Sequence, residues 1–524
     1  MSSPPEATPE PSPHNLGPWM RGCNYSLPAE ELSPDELFSV RNMIVGSGGE
    51  VFQRPAFVPL INAQANGASH ITGLGEQVFS ASSTATFCIA GAKFLENVDG
   101  TWTDRTNSET ITAGTGNLWN FANANGVLIG VNGVDGDALL HWSASGNLTD
   151  TGLTGQRVSW ATWVEWWDSR VWLGNTSAGT DRSYHSSNIS ITSAGVNDWF
   201  SVGQVLTGQK AFGQQSLALH GETVIQMLVP THNASIPYRR IGRSSKGTVA
   251  GRSIVTIAAP GIPLQQLFVR KDGIYRFTGG EAEKISWKLD GERFWDNVKK
   301  DQLPDSFAAE NPDRNEVWFF LPVGGITYDQ PIIYNYLRDI WYGPHVVASS
   351  LYDDWLCAAP IGGVIHAGGY SDSGRVYKMD FTDSLNDSQD GTVTAAISAE
   401  FTTGAPPPIG VDVMNRWLFA RTSYDVSGNY GVNITHFAPG IPAGTEAIDQ
   451  GGGFDAIESA FKVGTSQIAG EDLMDSQDTD LNGYDPTIQL TYANGSASEE
   501  FSIRRVAAMY RPIGRKRKSS AGVF

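Results

Sequence analysis

Cysteine is scarce in this 524-residue chain, with only Cys23, Cys88 and Cys357. An odd number of widely spaced cysteines implies no disulfide framework, and no CxxC pair is present for zinc or thiol exchange. Free buried thiols are the expectation, so the fold needs no oxidising compartment. Charge is scarce as well. Charged residues make up 17% of the chain, against roughly 25% in ordinary soluble domains. Positive charge is the scarcer sign, with 36 Lys+Arg against 55 Asp+Glu and a net charge of −19. A protein that wraps or coats nucleic acid needs a cationic surface to displace counterions, so that class is excluded for the chain as a whole. Lys and Glu are too few for long solvent-facing helices. Long apolar runs are missing too: the least charged stretch, Ser253–Val269, is broken by Pro260, Gly261 and Pro263, and no membrane-spanning segment is expected. The opening MSSPPEATPEPSP has neither a basic nor an apolar block, so no secretion signal is expected either.

What the chain does contain points to strands. Hydrophobic residues make up 40% and aromatics 10%, with 58 Gly and 16 Trp, enough to fill a core and supply tight turns. Residues 1–18 hold six prolines and read as a disordered arm or a strap that orders on a neighbour. Residues 19–64 read as a platform segment. From 65 to 385, apolar runs of four to seven residues alternate with Gly, Asn and Asp turns, as in ATFCIAG, GVLIGVNG, RVWLGNT and EVWFFLPVGG. Each run is long enough for a strand and too short for a helix. Trp102, Trp142, Trp199, Tyr238, Trp287 and Trp341 recur at gaps of 40, 57, 39, 49 and 54 residues. Repeats of that length with about four strands each suit propeller blades, about six of them. A pair of β-sandwiches is the alternative. After 385 the strands lengthen and alternate, and residues 386–512 read as a second, sandwich-like β domain. Within it, Ile441–Leu490 carries ten Asp+Glu and one Lys and reads as a long acidic loop. Residues 513–524 read as a basic tail. Seven positive charges fall between Arg504 and Lys518, and Arg515, Lys516, Arg517 and Lys518 are candidate contacts to an acidic partner or to nucleic acid.

Chemical signatures are thin. There is no G-x-S-x-G elbow, no Walker A loop, no G-x-G-x-x-G after a strand and no H-E-x-x-H, and the nine histidines have no metal-ligand spacing. The sialidase-type turn S-x-D-x-G-x-x-W survives only in fragments: before Asp372-Ser373-Gly374, Tyr370 stands where Ser is required, and Asp99-Gly100 and Asp272-Gly273 are plain turn dipeptides. One string, Asp478-x-Asp480-x-Asn482-Gly483-x-Asp485, has oxygen ligands at alternate positions as in a calcium loop. However, Gln489 stands at the twelfth position instead of a bidentate Glu, and an acidic turn is the simpler reading. Trp160, Trp163, Trp166, Trp167 and Trp172 form a tight aromatic cluster that suits either a glycan platform or a core. No catalytic residue, cofactor or metal ligand is assigned.

The segment GCNYSLPAEELSPDELFSVRNMIVGSGGEVFQRPAFVPL, from Gly22, resembles the opening of the tail nozzle proteins of short-tailed bacteriophages. The matching positions are Gly22, Asn24, Leu32, Asn42, Gly49, Arg54 and Pro55; Ala56 stands where many relatives have Gly. LFVRKDGIYRFTGGEAEKIS, RNEVWFFLPVGGITYDQPIIYNYLRDIWYGP and FSIRRVAAMYRPIGRK resemble later hairpins and the closing strand of that family. The resemblance implies a non-enzymatic virion protein, assembled in the host cytoplasm, with a β-propeller and an added platform or tip domain. Six copies would form a ring below the portal and adaptor and contact tail fibres or spikes. Double-stranded DNA would be retained in the ring and then passed through it without sequence-specific binding. The acidity then has a purpose, because an acidic lumen repels phosphate. On this reading the 441–490 stretch lies near the lumen or the tip, and the basic tail does not line the channel. A receptor- or carbohydrate-binding propeller on the virion surface is the competing class, with the Trp160–Trp172 cluster as its platform.

Overall fold

The computed structural model describes residues 10–515 except 138, 144–145, 151–158, 187–198, 234–235, 326, 348–353, 370–373, 383, 385, 426–430, 439–440, 450–473 and 495–500. Regular structure is almost entirely strand; among the described residues the only helices are five 3-10 turns of three residues each. Among the described residues, seven four-stranded antiparallel sheets follow one another along the chain. Their first strands are Ile71–Ser80, Asn120–Asn123, Ala161–Trp167, Leu206–Phe212, Val255–Ile257, Phe307–Asn311 and Trp355–Ile361. Tight turns set the pairing. Asp99 and Gly100, with φ of 49° and 80°, join Lys93–Val98 to Thr101–Asp104, and Asp168 and Ser169, at 50° and 56°, join Ala161–Trp167 to Arg170–Thr176. Two consecutive left-handed residues match the twist of a two-residue hairpin.

The second strands Ser216–Gly221 and Glu316–Phe320 are buried at every position. Successive side chains in a strand point to opposite faces, so both faces of these sheets are covered. Apolar clusters supply the cover. Phe87, Ile89 and Phe94 of the first sheet meet Leu128, Leu140 and Trp142 of the second. Trp167 and Trp172 of the third meet Leu217, Leu219 and Tyr238 of the fourth. Ile71, Leu74 and Cys88 of the first meet Cys357, Ile361 and Val376 of the seventh. Each first strand lies against the first strand of the next sheet, and Trp355–Ile361 lies against Ile71–Ser80. The arrangement is propeller-like.

Seven such sheets stand where the aromatic spacing suggested about six. The six aromatic markers fall in or just after the last two strands of the first six sheets. The seventh sheet takes its fourth strand, Ala56–Pro59, from near the start of the chain, paired with Val376–Phe381. The marker series stopped at Trp341, although Tyr377 lies 36 residues further on, in Val376–Phe381.

Two further sheets make the second unit. One orders Met43–Val45, Val51–Gln53, Ser502–Arg515, Val413–Asp425 and Met474–Asp485, with Ser12–Leu16 also on Ser502–Arg515. The other orders Leu37–Arg41, Ala399–Thr403, Gln489–Asn494, Gly431–Ala438 and Ile441–Asp449. Between the sheets, Trp19 packs edge-on against Phe401 at 5.1 Å, and the Thr422 and Tyr492 hydroxyls share a 2.8 Å hydrogen bond. The unit therefore mixes residues 12–53 with residues after 398, so the expected 19–64 segment and 386–512 domain interleave.

Three expectations are corrected here. Residues 12–16 of the Pro-rich arm form a strand on their own chain, in register Ser12–Tyr510 to Leu16–Val506. Much of the acidic stretch 441–490 is strand: Ile441–Asp449 and Met474–Asp485 sit at the outer edges of the two sheets. In Met474–Asp485 the polar residues Ser476, Asp478 and Asp480 face outward while Thr479 and Leu481 are buried, so low hydrophobicity marked a solvent-facing edge and not a loop. The basic tail, 513–524, begins inside a strand, because Ser502–Arg515 runs on to Arg515. Lys516, Arg517, Lys518 and the acidic residues of 450–473 lie outside the described residues.

Candidate functional site

The residues that carry the resemblance come together at the joint between the sheet series and the sandwich. Arg54 is the hinge of the chain there, between Val51–Gln53 of the sandwich and Ala56–Pro59 of the seventh sheet. It is 2% exposed and all five of its N–H groups are used. Nη1 and Nη2 donate to Asp387 at 2.9 and 2.6 Å, Nε to Asn42 Oδ1 at 3.0 Å, and the remaining hydrogens to the Pro55 and Val346 carbonyls. The guanidinium lies 3.7 Å above the Phe57 ring, and the Phe57 amide donates to Asp387. Asn42 has a φ of 57°; its amide donates to the Ser398 carbonyl while its Oδ1 also accepts from the Val346 amide. One buried node thus ties five stretches of chain, around Asn42, Arg54, Val346, Asp387 and Ser398. Gly22, at φ +66°, has no room for a side chain, since a Cβ would sit 2.5 Å from the Trp341 carbonyl. Gly49, at φ +80°, turns against Trp19. The Asn24 Oδ1 accepts from the Ser26 amide at 3.1 Å. A second anchor lies nearby: Lys288 pairs with buried Glu36 at 3.0 Å, and Arg293 donates to the carbonyls of Asn24, Tyr25, Leu27 and Phe38.

A different feature has the character of a binding site. A cavity of about 500 Å³ is lined by residues of the first strands of all seven sheets. Its charged side chains are Glu76, Glu165, Lys210, Arg252 and Glu310. Glu165 and Lys210 pair at 3.1 Å. Glu76 accepts from the Gly362 amide at 3.2 Å. Glu310 accepts from the Tyr336 hydroxyl at 3.1 Å, and burial raises its carboxyl above the usual range. Arg252, just before the fifth sheet, reaches the Leu356 carbonyl of the seventh and lies 5.0 Å over the Phe307 ring of the sixth. Its Nη1 makes no hydrogen bond among the described residues, and burial disfavours its charge. None of these five residues was singled out from sequence. The available signal was a charge set inside a short strand, as in GLGEQVFS or FAAEN; five of the sheets, counting Arg252 before the fifth, contribute one such residue each and the second and seventh none, so no motif forms.

The other sequence candidates disperse. Trp167 and Trp172 are 3% and 0% exposed and pack 5.6 Å apart in the cluster between the third and fourth sheets. Trp163 lines the cavity and donates to the Leu206 carbonyl, while Trp166 packs against the cluster on the opposite face of the third sheet. Alternation along one strand sets Trp166 apart, while Trp163, Trp167 and Trp172 share one cluster in which Trp167 and Trp172 are buried. The calcium-like string lies in the edge strand Met474–Asp485, where Asp478 is held by Arg421 at 2.7 and 2.8 Å and Asp485 turns inward. Among the described residues, no three His, Cys, Asp or Glu are grouped to hold a metal, and no helix is long and apolar enough to cross a membrane.

No family model and no curated protein matches the chain. Solved structures do match. The extracellular domain of a one component system from B. thetaiotaomicron is 9% identical, with 75% of this chain and 55% of that one covered and a TM-score of 0.41. The chain thus spans about half the length of that domain. An exo-β-1,3-galactanase from Phanerochaete chrysosporium is 10% identical, with 89% and 100% covered and a TM-score of 0.23. BBS1N, solved in complex with ARL6DN, is 9% identical, with 59% and 79% covered and a TM-score of 0.28. At these scores the likeness carries no statement about what this chain does.

Proposed function

We propose that the chain is a structural virion protein of the tail nozzle of a short-tailed bacteriophage. Its seven sheets would be the blades of a closed β-propeller, with the sandwich as platform. Six copies would form a ring under the portal and adaptor that holds packaged DNA and then lets it pass into the host. One observation carries the reading. The residues that resemble nozzle proteins, above all Asn42 and Arg54, are those that lock sandwich to sheets through Asp387. A shared signature is expected at such a joint if the relative placing of two rigid units is what must be kept, and not a reaction. The charge agrees with a lumen that meets DNA without gripping it. Apart from the seven basic residues between 504 and 518, the chain is more acidic than its net −19, and each phosphate contact avoided lowers the affinity that would pin the duplex. A heterologous contact repeated around an axis closes the ring.

The test is cryo-electron microscopy of intact particles that carry the chain, with the density fitted independently at the tail. A sixfold ring below the adaptor supports the proposal. A peripheral position at a fibre or spike overturns it in favour of a receptor-binding role, and so does a channel lined with lysines.

A further inference from the structure

We propose that the cavity at the centre of the seven sheets is a binding site for a small amphoteric molecule, one end an amine and the other a carboxylate. Glu165 and Lys210 satisfy each other. Among the described residues, Arg252 has no carboxylate within ion-pair distance, and neither Glu76 nor Glu310 has a cation there. Unpaired charges of opposite sign thus share one cavity without meeting.

Their placement along the strands explains why they stay apart. Arg252 lies over Phe307 and reaches Leu356, which marks one end of the cavity. Glu310 is three residues further along the same strand as Phe307, ~10 Å away at the rise of an extended chain. Glu76 is held at that same far end by Gly362, which follows the end of the strand Trp355–Ile361, whereas Leu356 lies near its start. The cavity therefore has a cationic end at Arg252 and an acidic end at Glu310 and Glu76. Arg252 also borders a second cavity with Asp305, Asp354 and Tyr328, so it forms the wall between the two. A carboxylate at the Arg252 end would give the guanidinium a charged partner, and an ammonium at the other end would do the same for Glu310 and Glu76. A purely anionic ligand would leave the carboxylates unpaired, and a purely cationic one would leave the guanidinium unpaired.

The probe is 6-aminohexanoate, whose charges are separated by five methylenes, titrated calorimetrically into the full chain, with hexylamine and hexanoate as half-probes. Saturable binding of 6-aminohexanoate is expected, weakened about tenfold by Arg252→Gln or by Glu310→Gln, the loss of one charge-assisted contact. Hexylamine should respond only to Glu310→Gln. Arg252→Lys keeps the charge and serves if Arg252→Gln unfolds; it should retain part of the affinity. No saturable heat from 6-aminohexanoate at millimolar concentration overturns the proposal, as does binding that both Gln variants leave unchanged.

Discussion

Arg54 and Asp387, 333 positions apart in the chain, meet as a two-pronged ion pair with side chains 1% and 0% exposed. Their partners belong to the seventh sheet, the sandwich and the segment after the sixth sheet, so the pair links the two units. Removing one member leaves the other charged and buried. Arg54→Ala or Asp387→Ala should each cost about 3–5 kcal/mol, whereas replacing both with apolar residues of similar volume should cost much less. Urea midpoints of the two single variants and the double variant measure this directly.

Gly22 and Gly100 both have positive φ, at +66° and +80°, but only Gly22 is also crowded. Gly22→Ala places a methyl against the Trp341 carbonyl in a strained backbone and should destabilise by at least about 1–3 kcal/mol. Gly100→Asn, in an open hairpin turn, should change stability by well under about 1 kcal/mol. Equal thermal midpoints for the two variants would contradict the local account.

His220 and His366 are kept neutral in the fold, since burial lowers each to about 4, from about 6.5 in the unfolded chain. Between those values the unfolded chain binds more protons, so stability rises with pH. The contribution, on the order of 3 kcal/mol for each group, is complete above about pH 6.5 and lost as pH falls toward 4. Urea midpoints taken across that window should fall on acidification, and His220→Gln should flatten the fall while leaving the hydrogen-bonded Gln266 in place. A midpoint independent of pH between 7 and 4 would refute the assignment.

Trp172 is fully buried and surrounded by Trp167, His185 and Tyr238. Trp172→Ala should cost about 3–5 kcal/mol through the cavity it leaves. A glycan array should show no signal that depends on this residue. Glycan binding abolished by Trp172→Ala without loss of stability would restore the platform reading.

Asp478 and Asp480 point outward from an edge strand. Charges there discourage pairing with another chain. Replacing both with Thr should leave the monomer folded and increase concentration-dependent association, measurable by light scattering. Unchanged scattering would remove that role from the acidic edge.

The strand content and the repeating unit were legible because turn dipeptides and short apolar runs are local signals. Asp99-Gly100 is a hairpin in the sequence and in the structure. What was not legible depends on pairing between distant segments. Ala56–Pro59 reads as part of an opening segment until Tyr377 is seen opposite Pro59. Asp478 and Asp480 read as loop because an edge strand with one wet face can be as polar as a loop. The cavity was invisible for a related reason: Glu76, Arg252 and Glu310 come from three separate sheets, and only the packing of first strands brings them around one space.

The position of Ala56–Pro59 also has a consequence for synthesis. On a ribosome this strand emerges early, and its partner, centred on Tyr377, follows roughly 300 residues later, a delay of tens of seconds at about 5–20 residues per second. Six sheets can form during that wait from neighbouring residues. The opening segment must meanwhile keep its hydrogen-bonding edge unspent. A nascent chain stalled before residue 376 would therefore expose an unpaired strand at each side of the gap, and that is the stage at which a holding chaperone would matter most to yield.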